Sequence, residues 1–338
     1  MSKTKILVTG GAGFIGSNFV PFLLRKYNNY QVINLDLLTY AGNLSNLDEI
    51  IHDERHIFIK GDIRDRELIE SVFEQYGIQH VIHFAAESHV DNSIENPTVF
   101  AETNVVGTLN LLEAARSNWM KAPFQYKDGN LQSRFHHIST DEVYGTLGET
   151  GYFTEQTPYA PNSPYSASKA GSDMLVRSYF HTYGLNTVTT NCSNNYGPRQ
   201  YDEKLIPTLI QKALYGEKLP IYGDGQNIRD WLYVEDHCRA IDLVFHNGKA
   251  GETYLVGGNN ERTTLQIAET VCTYLDKRIP KTKSYLEQIK FVRDRPGHDF
   301  RYAIDSSKLV KELGWKAEEE FYTGIRKTID WYIKKYTQ

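Results

Sequence analysis

A glycine-rich turn close to the amino terminus constrains the fold of this chain more than any other feature. Residues 9–16 follow the first apolar run directly and open the first segment with helical spacing. Gly10, Gly13 and Gly16 allow a tight turn, let backbone N–H groups reach a pyrophosphate, and let the helix pack closely on the strand. The segment therefore predicts a dinucleotide-binding turn between a strand and a helix, with a purely structural turn as the alternative.

Asp36 supports the first interpretation and indicates which dinucleotide is bound. It lies at the end of the second predicted strand and 20 residues beyond Gly16. A carboxylate at this point accepts hydrogen bonds from the adenosine ribose hydroxyls and repels a 2′-phosphate, so NAD is favoured over NADP. The alternative is that Asp36 only caps a turn.

Short apolar runs alternate with helical patterns through the first half of the chain. The predicted strands are residues 6–8, 32–35, 57–59, 81–84, 135–139 and 187–190, and the predicted helices are residues 14–26, 67–76, 98–117 and 166–183. This alternation predicts an α/β fold of the Rossmann type, a doubly wound parallel sheet with helices on both faces.

Turn-rich stretches predominate beyond residue 191, which predicts a smaller, interleaved α/β substrate-binding domain over the carboxyl ends of the sheet. We expect residues 1–191 to form the NAD-binding domain, with residues 229–250 returning to it. We expect residues 192–228 and 251–338 to form mainly the substrate-binding domain.

Charge and cysteine content exclude several classes of protein. The net charge is -5, from 37 basic and 42 acidic residues that are interspersed, so nothing favours nucleic acid as a partner. The first apolar run is too short for a signal peptide or a membrane span, which favours a cytoplasmic enzyme. Cys192, Cys238 and Cys272 lie far apart, and His136 and His137 point to opposite faces of a strand, so we predict neither disulfide nor metal site.

Tyr165 and Lys169 are four residues apart in a segment with helical spacing, so both lie on one helix face. A free tyrosine has a pKa near ~10, and a nearby ammonium and a cationic nicotinamide both favour the phenolate. Tyr165 could then act as a general base. Taken alone, such a pair is more often a solvated surface feature, but this one follows a dinucleotide turn and a strand ending in Ser139 and Thr140.

Three elements together resemble the extended short-chain dehydrogenase/reductase family over nearly the whole chain: residues 9–16, the Tyr165–Lys169 pair and residues 194–198. Within that family, similar epimerases carry small neutral residues at the positions of Asp141 and Glu142. Decarboxylases and GDP-sugar dehydratases keep only the glutamate. The presence of both carboxylates resembles the dTDP-glucose 4,6-dehydratases.

The resemblance implies a role for each residue of the catalytic group. Tyr165, aided by Thr140, takes the proton of the sugar C4 hydroxyl as hydride leaves for NAD, and Lys169 holds the nicotinamide ribose. Glu142 removes the C5 proton as general base, and Asp141 protonates the departing C6 hydroxyl as general acid. Hydride returns to C6, so the net reaction is loss of water. The alternative is that Asp141 and Glu142 are a cap and a first-turn charge of a short helix.

The same resemblance implies two sets of binding residues for a nucleotide-diphosphate sugar and its cofactor. Asp62 is expected to meet the adenine amino group, although a helix N-cap is nearly as good an explanation. The cofactor set is Gly10, Gly13, Phe14, Ile15, Gly16, Asp36, Thr39, Asp62, Ile63, Phe84, Ala85, Ala86, Ser88, Thr103, Tyr165, Lys169 and Asn195. The substrate set is Ser88, Thr140, Asn194, Lys204, Leu205, Pro220, Ile221, Tyr222, Arg229, Thr264, Asp294, Arg295 and His298.

Some positions depart from the pattern of the family. Asn191 stands where an arginine is usual, residues 199–202 replace a more aromatic run, and Thr264 stands where asparagine is frequent. These departures concern substrate preference, and the sequence leaves thymidine against uridine open. A nucleotide-sugar epimerase or decarboxylase and a non-catalytic NAD-sensing protein remain as alternatives. The family also implies a homodimer, in which residues 98–117 and 166–183 pair across a two-fold axis as a four-helix bundle.

Overall fold

A large parallel sheet organises the computed structural model, which describes residues 3–294 and 298–337. The strands are β1 (Thr4–Thr9), β2 (Tyr30–Asp36), β3 (His56–Lys60), β4 (His80–His83), β5 (Met120–Ala122), β6 (Gln125–Tyr126), β7 (Arg134–Thr140), β8 (Thr187–Cys192), β9 (Asn194–Tyr196), β10 (Leu219–Tyr222), β11 (Ile228–Tyr233), β12 (Thr253–Val256), β13 (Glu261–Thr263) and β14 (Ile289–Val292). The helices are α1 (Phe14–Lys26), α2 (Arg66–Tyr76), α3 (Val90–Glu95), α4 (Pro97–Phe100), α5 (Thr108–Trp119), α6 (Pro164–Tyr183), α7 (Leu205–Tyr215), α8 (Val234–Asn247), α9 (Thr264–Arg278), α10 (Ser307–Leu313) and α11 (Phe321–Thr337).

The large sheet has seven strands in the order β12-β8-β7-β4-β1-β2-β3, and every neighbouring pair is parallel. The Rossmann-type fold predicted from the alternating pattern is therefore confirmed. Helices α1 and α8 cover one face, and α2, α5 and α6 cover the other. Because the chain reverses direction across the sheet between β1 and β4, a crevice opens at the carboxyl ends of these strands.

The helix predicted over residues 98–117 is interrupted. The chain forms α4, then a π-helical segment Ala101–Gly107, and then α5. The buried Asn104 lies in this wider π turn. Its side-chain amide accepts a hydrogen bond from Glu87 N, donates one to the Glu87 carbonyl oxygen, and donates another to the Ser168 hydroxyl at 2.8 Å. Helical spacing alone does not distinguish a π turn from an α turn. Here the π turn, in place of the predicted α turn, occurs where Asn104 forms hydrogen bonds with residues distant in sequence.

The smaller region combines a three-stranded sheet, β13-β11-β9, with a parallel pair, β10-β14. Helices α7, α9 and α11 pack on these strands around a second apolar core. The region follows the turn-rich part of the chain, as the sequence predicts, but the division of the chain differs at two strands. Strand β11 belongs to the small sheet, although residues 229–250 were expected in the NAD-binding domain. Strand β12 is the seventh strand of the large sheet, although residues 251–338 were assigned mainly to the other domain.

The physical reason for both differences is that a short apolar run predicts a strand without identifying its neighbour. Helix α8 does return to the large sheet, where Cys238 and Ile241 pack in the core that α1 covers. Asp230 on β11 joins the two regions, since its carboxylate accepts hydrogen bonds from Gly258 N at 2.9 Å and Asn260 N at 2.7 Å. Both donors lie in the loop that follows β12.

Across residues 3–294 and 298–337, no helix has the length and apolar character needed to cross a membrane. The same residues contain no group of three histidine, cysteine or acidic side chains arranged to hold a metal ion. His136 donates to or accepts from Thr190 and is fully buried, and Cys192, Cys238 and Cys272 are buried free thiols.

Candidate active site

A single cavity at the carboxyl ends of the large sheet gathers most of the residues that the sequence singles out. It is lined by the turns after β1, β2, β3, β4, β7 and β8 and by the first turns of α6. Of the expected residues it contains Gly10, Gly13, Phe14, Ile15, Gly16, Asp36, Thr39, Asp62, Ile63, Phe84, Ala85, Ala86, Ser88, Thr103, Thr140, Asp141, Glu142, Tyr165, Lys169, Asn194, Asn195 and Lys204. Strand ends far apart in sequence thus meet because parallel strands share one edge.

The glycine turn is shaped by close backbone contacts. Gly10 has a φ of +73°, and a Cβ there would lie 2.6 Å from the backbone nitrogen of Ala85. A Cβ on Gly16 would lie 2.3 Å from the carbonyl oxygen of Gly10. At Gly13 the nearest atom would be 3.4 Å away, so this glycine faces open space. The turn can therefore bring backbone N–H groups against a phosphate at the start of α1.

Asp36 organises the floor of the cavity beside this turn. Its carboxylate accepts hydrogen bonds from Ala12 N at 2.9 Å and Leu38 N at 2.8 Å. Burial raises the pKa of Asp36, while these backbone hydrogen bonds act in the opposite direction. The side chain fixes two backbone segments and still borders the cavity, where its remaining lone pairs are available to a ligand.

Asp62 also borders the cavity, at the far end of the same site. Its carboxylate accepts from Arg64 N at 2.9 Å and forms an ion pair with the Arg64 guanidinium at 2.7 Å. Helix α2 is capped by Asp65, which accepts from Leu68 N at 3.0 Å. The N-cap that the sequence offered as the alternative role of Asp62 is therefore filled by Asp65.

The start of α6 places Tyr165 and Lys169 side by side with the end of β7. Ser163 and Ser166 form a capping box, which fixes the first turn of the helix. Tyr165 is 8% exposed and Lys169 is 4% exposed, and the Lys169 ammonium donates to the Ile138 carbonyl oxygen at 2.9 Å. Both side chains are therefore removed from water at the base of the cavity.

Burial changes the acidity of this pair. It raises the pKa of Tyr165 well above its usual value, repulsion from Glu142 acts in the same direction, and a hydrogen bond with the Thr140 hydroxyl opposes both. Burial lowers the pKa of Lys169. The sequence predicted that the lysine and a cationic nicotinamide together favour the phenolate, whereas the protein groups alone favour the protonated phenol. The protein groups by themselves hold the phenol protonated, so its action as a base depends on positive charge that a ligand brings in.

The two adjacent carboxyl groups lie in different environments on a short 3-10 turn, Asp141–Tyr144. Thr140 caps this turn, because its hydroxyl accepts from Glu142 N at 3.3 Å. The cap that the sequence considered for Asp141 is thus supplied by its neighbour. Asp141 is 1% exposed, and its Oδ2 atom is buried with no hydrogen-bond partner among the described residues. Glu142 is only half-buried and borders the cavity.

The environment of Asp141 is that of a proton donor. Burial raises the pKa of Asp141 well above its usual value, the charges of Glu142 and Asp230 act in the same direction, and Arg229 opposes them. A carboxyl group held neutral beside a more exposed carboxylate can serve as an acid while its neighbour serves as a base. The arrangement can therefore add a proton at one atom of a ligand and remove one from an adjacent atom.

Comparison with known proteins places this site in a family. The family model described as GDP-mannose 4,6 dehydratase matches residues 7–328. A dTDP-glucose 4,6-dehydratase from Xanthomonas campestris is 57% identical over 333 residues, which cover 98% of this chain and 93% of that protein. The chain belongs to the dTDP-glucose 4,6-dehydratase family.

Solved structures of this family agree with the fold. A dTDP-glucose 4,6-dehydratase from Bacillus anthracis, solved in complex with NAD, is 48% identical with a TM-score of 0.86, covering 98% of this chain and 97% of that one. A dTDP-glucose 4,6-dehydratase from Streptomyces venezuelae, also solved with NAD bound, is 45% identical with a TM-score of 0.90 and the same coverage. The resemblance stated from the sequence is thus confirmed.

The remaining substrate residues expected of this family lie outside the cavity, in the smaller region. They are Leu205, Pro220, Ile221, Tyr222, Arg229, Thr264, Asp294 and His298, while Arg295 lies outside the described residues. Ile221 is fully buried in the second core, so only its backbone can face a ligand. Tyr222 is exposed, and His298 Nδ1 lies 2.7 Å from Asp294 Oδ1.

Arg229 connects this outer group to the acid pair of the dehydratase site. Its guanidinium donates to the carbonyl oxygen of Asp299 at 2.9 Å and lies 4.1 Å from the centre of the Tyr302 ring. Its charge acts on Asp141, and that of Glu142 acts on Tyr302. The outer group therefore borders the turn that carries both carboxyl groups.

Sequence reasoning missed several residues of the site. Glu87 and Glu203 line the cavity, and burial raises the pKa of each carboxyl group. Nothing in the local sequence pattern distinguishes them from ordinary surface acids. Asp173 also escaped notice, although it follows Lys169 by the same four residues that separate Lys169 from Tyr165. That repeated spacing was the available signal.

The raised pKa of Asp141 predicts a pH-dependent gain in stability on replacing it with asparagine. Because burial raises the pKa of Asp141 above its value in the unfolded chain, folding is penalised as pH rises above about 4. Asp141→Asn should therefore melt at a higher temperature than the wild type near neutrality, and the difference should shrink toward about pH 4. Thermal unfolding measured across this pH range tests the expectation.

Asp65→Asn is the matched control, because asparagine caps a helix as well as aspartate does. Its melting temperature should differ little from that of the wild type near neutrality. A variant at Asp141 that is less stable than the wild type at every pH would contradict the assignment of a buried, neutral carboxyl group.

Proposed function

We propose that this chain is a hydro-lyase that converts dTDP-glucose to dTDP-4-keto-6-deoxyglucose with NAD as its cofactor. The observation that carries the proposal is the buried Asp141, whose Oδ2 atom has no hydrogen-bond partner among the described residues, beside the half-buried Glu142 on the turn that adjoins Tyr165. An acid and a base on adjacent residues suit removal of a proton from one carbon and of a hydroxyl from the next. The relatives with this name and full-length coverage support the same reaction.

The residues present fit a dinucleotide. The contacts of Gly10 and Gly16 leave no room for side chains on the cavity floor, and Gly13 faces open space at the start of α1. Asp36 presents a carboxylate where an adenosine ribose would lie, and it disfavours a 2′-phosphate. We assign the turn of residues 10–16, Asp36, Asp62 and the backbone around Ala85 to binding NAD. When bound, NAD supplies a reversible hydride acceptor and the positive charge that Tyr165 requires.

Tyr165 and Thr140 act on the C4 hydroxyl of the sugar. The two side chains share a hydrogen bond, so a sugar oxygen placed between them meets an acceptor and a donor at once. Tyr165 accepts the hydroxyl proton as the C4–H bond gives up its hydride. Lys169, one turn further along α6, stabilises the phenolate and orients the ribose of the cofactor.

Glu142 and Asp141 then carry out the elimination. Oxidation at C4 makes the C5 proton acidic, and Glu142 removes it as the general base. Asp141 gives its proton to the C6 hydroxyl, which leaves as water, and the C5=C6 double bond forms. After hydride has been returned to C6, a proton is returned to C5. Burial keeps Asp141 protonated without an external acid, which is why its side chain suits this step.

We assign the outer group of residues to the nucleotide portion of the substrate. We assign Arg229 to the diphosphate, because a guanidinium matches phosphate oxygens bidentately. In this structure the guanidinium is buried and donates to the carbonyl oxygens of Ile228, Asp299 and Phe300. Tyr222 is exposed on β10 and could pack against the base. Ser88, Asn194, Lys204, Leu205, Pro220, Ile221, Thr264, Asp294, Arg295 and His298 complete the proposed substrate set. We place residues 192–233, 257–294 and 321–337 mainly in the substrate-binding domain, with α8 and β12 assigned to the NAD-binding domain.

Replacing the two acids separately should divide the reaction into steps. In deuterated buffer the wild type should form a 4-keto-6-deoxy sugar that carries deuterium at C5. Asp141→Asn should lower dehydration by about 10²–10⁴-fold while C5 still exchanges with solvent, because Glu142 remains. Glu142→Gln should lose both exchange and dehydration. Product analysis by NMR and mass spectrometry measures each outcome.

Glu149→Gln is the control, because Glu149 is exposed and lies outside the cavity. It should behave as the wild type. A wild-type protein that only interconverts C4 epimers, or that binds dTDP-glucose without turnover, would instead support an epimerase or a sensor. Full dehydration by both acid variants would overturn the proposed mechanism.

The glycine contacts predict opposite results at two neighbouring positions. Gly16→Ala places a Cβ 2.3 Å from the Gly10 carbonyl oxygen, so the turn must distort. It should lower the melting temperature and weaken NAD binding by at least about tenfold, or about 1.4 kcal/mol. Gly13→Ala should leave the melting temperature unchanged, because its Cβ meets nothing closer than 3.4 Å. Thermal unfolding and calorimetric titration with NAD measure these effects, and equal melting temperatures of the two variants would contradict the role of Gly16 in packing the turn.

We further propose that the protein is a homodimer through a four-helix bundle. The segment of residues 101–119 packs against α6, and each leaves a large apolar side chain half exposed: Val106 and Met174 are both 47% exposed. A second copy that covers both would remove this apolar surface from water. We also place the protein in the cytoplasm, since its three thiols are buried and unpaired.

The dimer proposal predicts a mass of about twice that of the 38.8 kDa chain in light scattering. Val106→Glu and Met174→Lys should each favour the monomer, because a charge would be buried at the interface. Tyr152→Glu is the control, because Tyr152 is 57% exposed on a different segment. Dimers of unchanged stability in both interface variants would place the contact elsewhere.

A further inference from the structure

A buried acid lies behind the active site and takes no part in the steps described above. Asp173 follows Tyr165 and Lys169 on α6 at successive intervals of four residues, so all three lie on one face of the helix. Asp173 is 4% exposed. An ionised carboxylate at such a depth requires several donors or a counter-charge.

The carboxylate has several donors. Its Oδ2 atom accepts hydrogen bonds from Ser139 Oγ at 2.9 Å, Tyr159 OH at 2.9 Å and Asn191 Nδ2 at 3.2 Å. His137 Nε2 lies 3.0 Å from Oδ1. The donors come from β7, β8 and the loop before α6. One side chain of α6 is thus fixed to the ends of the two strands that border the site.

The charge balance around Lys169 depends on Asp173. Burial alone would raise the pKa of Asp173, but its interaction with His137, the charge of Lys169 and the hydrogen bond from Ser139 together lower it. Burial lowers the pKa of Lys169, and the charge of Asp173 opposes that change. An ammonium bound only to the Ile138 carbonyl oxygen would otherwise be costly at this depth.

The other titratable groups that face Lys169 carry no charge near neutrality. Burial lowers the pKa of His137, on β7, to about 4, and it lowers the pKa of His83, on β4, well below its usual value. Burial raises the pKa of Cys192, on β8, to about 12. Asp173 therefore supplies the negative charge in this buried group.

We propose that Asp173 is a positioning residue, a buried counter-ion that keeps Lys169 as an ammonium and fixes α6 to β7 and β8. The role rests on the proposed function, because the charge of Lys169 is what stabilises the Tyr165 phenolate. Asn191 belongs to the same hydrogen-bond network around Asp173. Its amide donates to the Thr140 carbonyl oxygen at 3.1 Å as well as to Asp173.

The first experiment follows the charge of Lys169 directly. Lysine isotopically labelled at Cε in the full-length protein with NAD gives an NMR signal for each side chain, and the one lost in Lys169→Met belongs to Lys169. In Asp173→Asn the titration midpoint of that signal should fall by at least about one pH unit. The alkaline limb of the kcat profile should fall with it. Tyr159→Phe, which removes one neutral donor and no charge, should move neither by that amount.

The second experiment needs no substrate and separates this inference from the proposed reaction. Lys169→Met, Asp173→Asn and the double variant form a cycle of unfolding free energies. The double variant should be more stable than Asp173→Asn alone, because removing both charges leaves neither group buried without its partner. A double variant no more stable than Asp173→Asn, or a Lys169 midpoint that does not change, would overturn the proposal. If the wild type lacks dehydratase activity but the cycle shows that Lys169 and Asp173 are coupled, only the proposed function is refuted.

Discussion

Removing charged groups from water is the constraint on which this site depends. Four side chains of the site are each less than a tenth exposed: Asp141, Tyr165, Lys169 and Asp173. Burial favours the uncharged form of each group, and only at Asp173 do the interactions with neighbouring groups outweigh it. Among the described residues, the Asp141 Oδ2 atom has no hydrogen-bond partner, and burial raises the pKa of that carboxyl group. Asp173 Oδ2 accepts three hydrogen bonds, His137 Nε2 lies 3.0 Å from Oδ1, and the interactions with His137 and Lys169 lower the pKa of Asp173. Depth and partners, rather than residue type, therefore determine which carboxyl group gives a proton.

The parallel sheet is what brings these groups together. The glycine turn, Asp36, the Thr140–Glu142 segment and the start of α6 all follow strands whose carboxyl ends share one edge. The smaller region covers that edge from the other side, and Asp230 joins the two through the loop after β12. Rigid strand ends can hold an acid, a base and a cofactor turn in fixed relation, which is a requirement for moving protons between neighbouring atoms of one sugar.

Much of the fold and part of the site could be predicted from local pattern. The strands and helices of the first half were found because buried parallel strands are continuous apolar runs and their crossover helices keep helical spacing. The strands that pair with β11 and β12 could not be predicted, because a run of four to six residues does not indicate which strand lies beside it. The π-helical segment around Asn104 was missed for a similar reason: its hydrogen bonds are to Glu87 and Ser168, distant in sequence.

The sequence by itself determined the glycine turn, the acid at the end of β2, the Tyr165–Lys169 spacing and the adjacent acids Asp141 and Glu142, because each is a matter of residue type at short range. Only the tertiary structure decided that burial raises the pKa of Asp141 and of Tyr165. It also decided that Ser139, Tyr159 and Asn191 donate hydrogen bonds to Asp173. Acidity in a protein depends on the solvent and charges that surround a group, and these come from segments that only folding brings near.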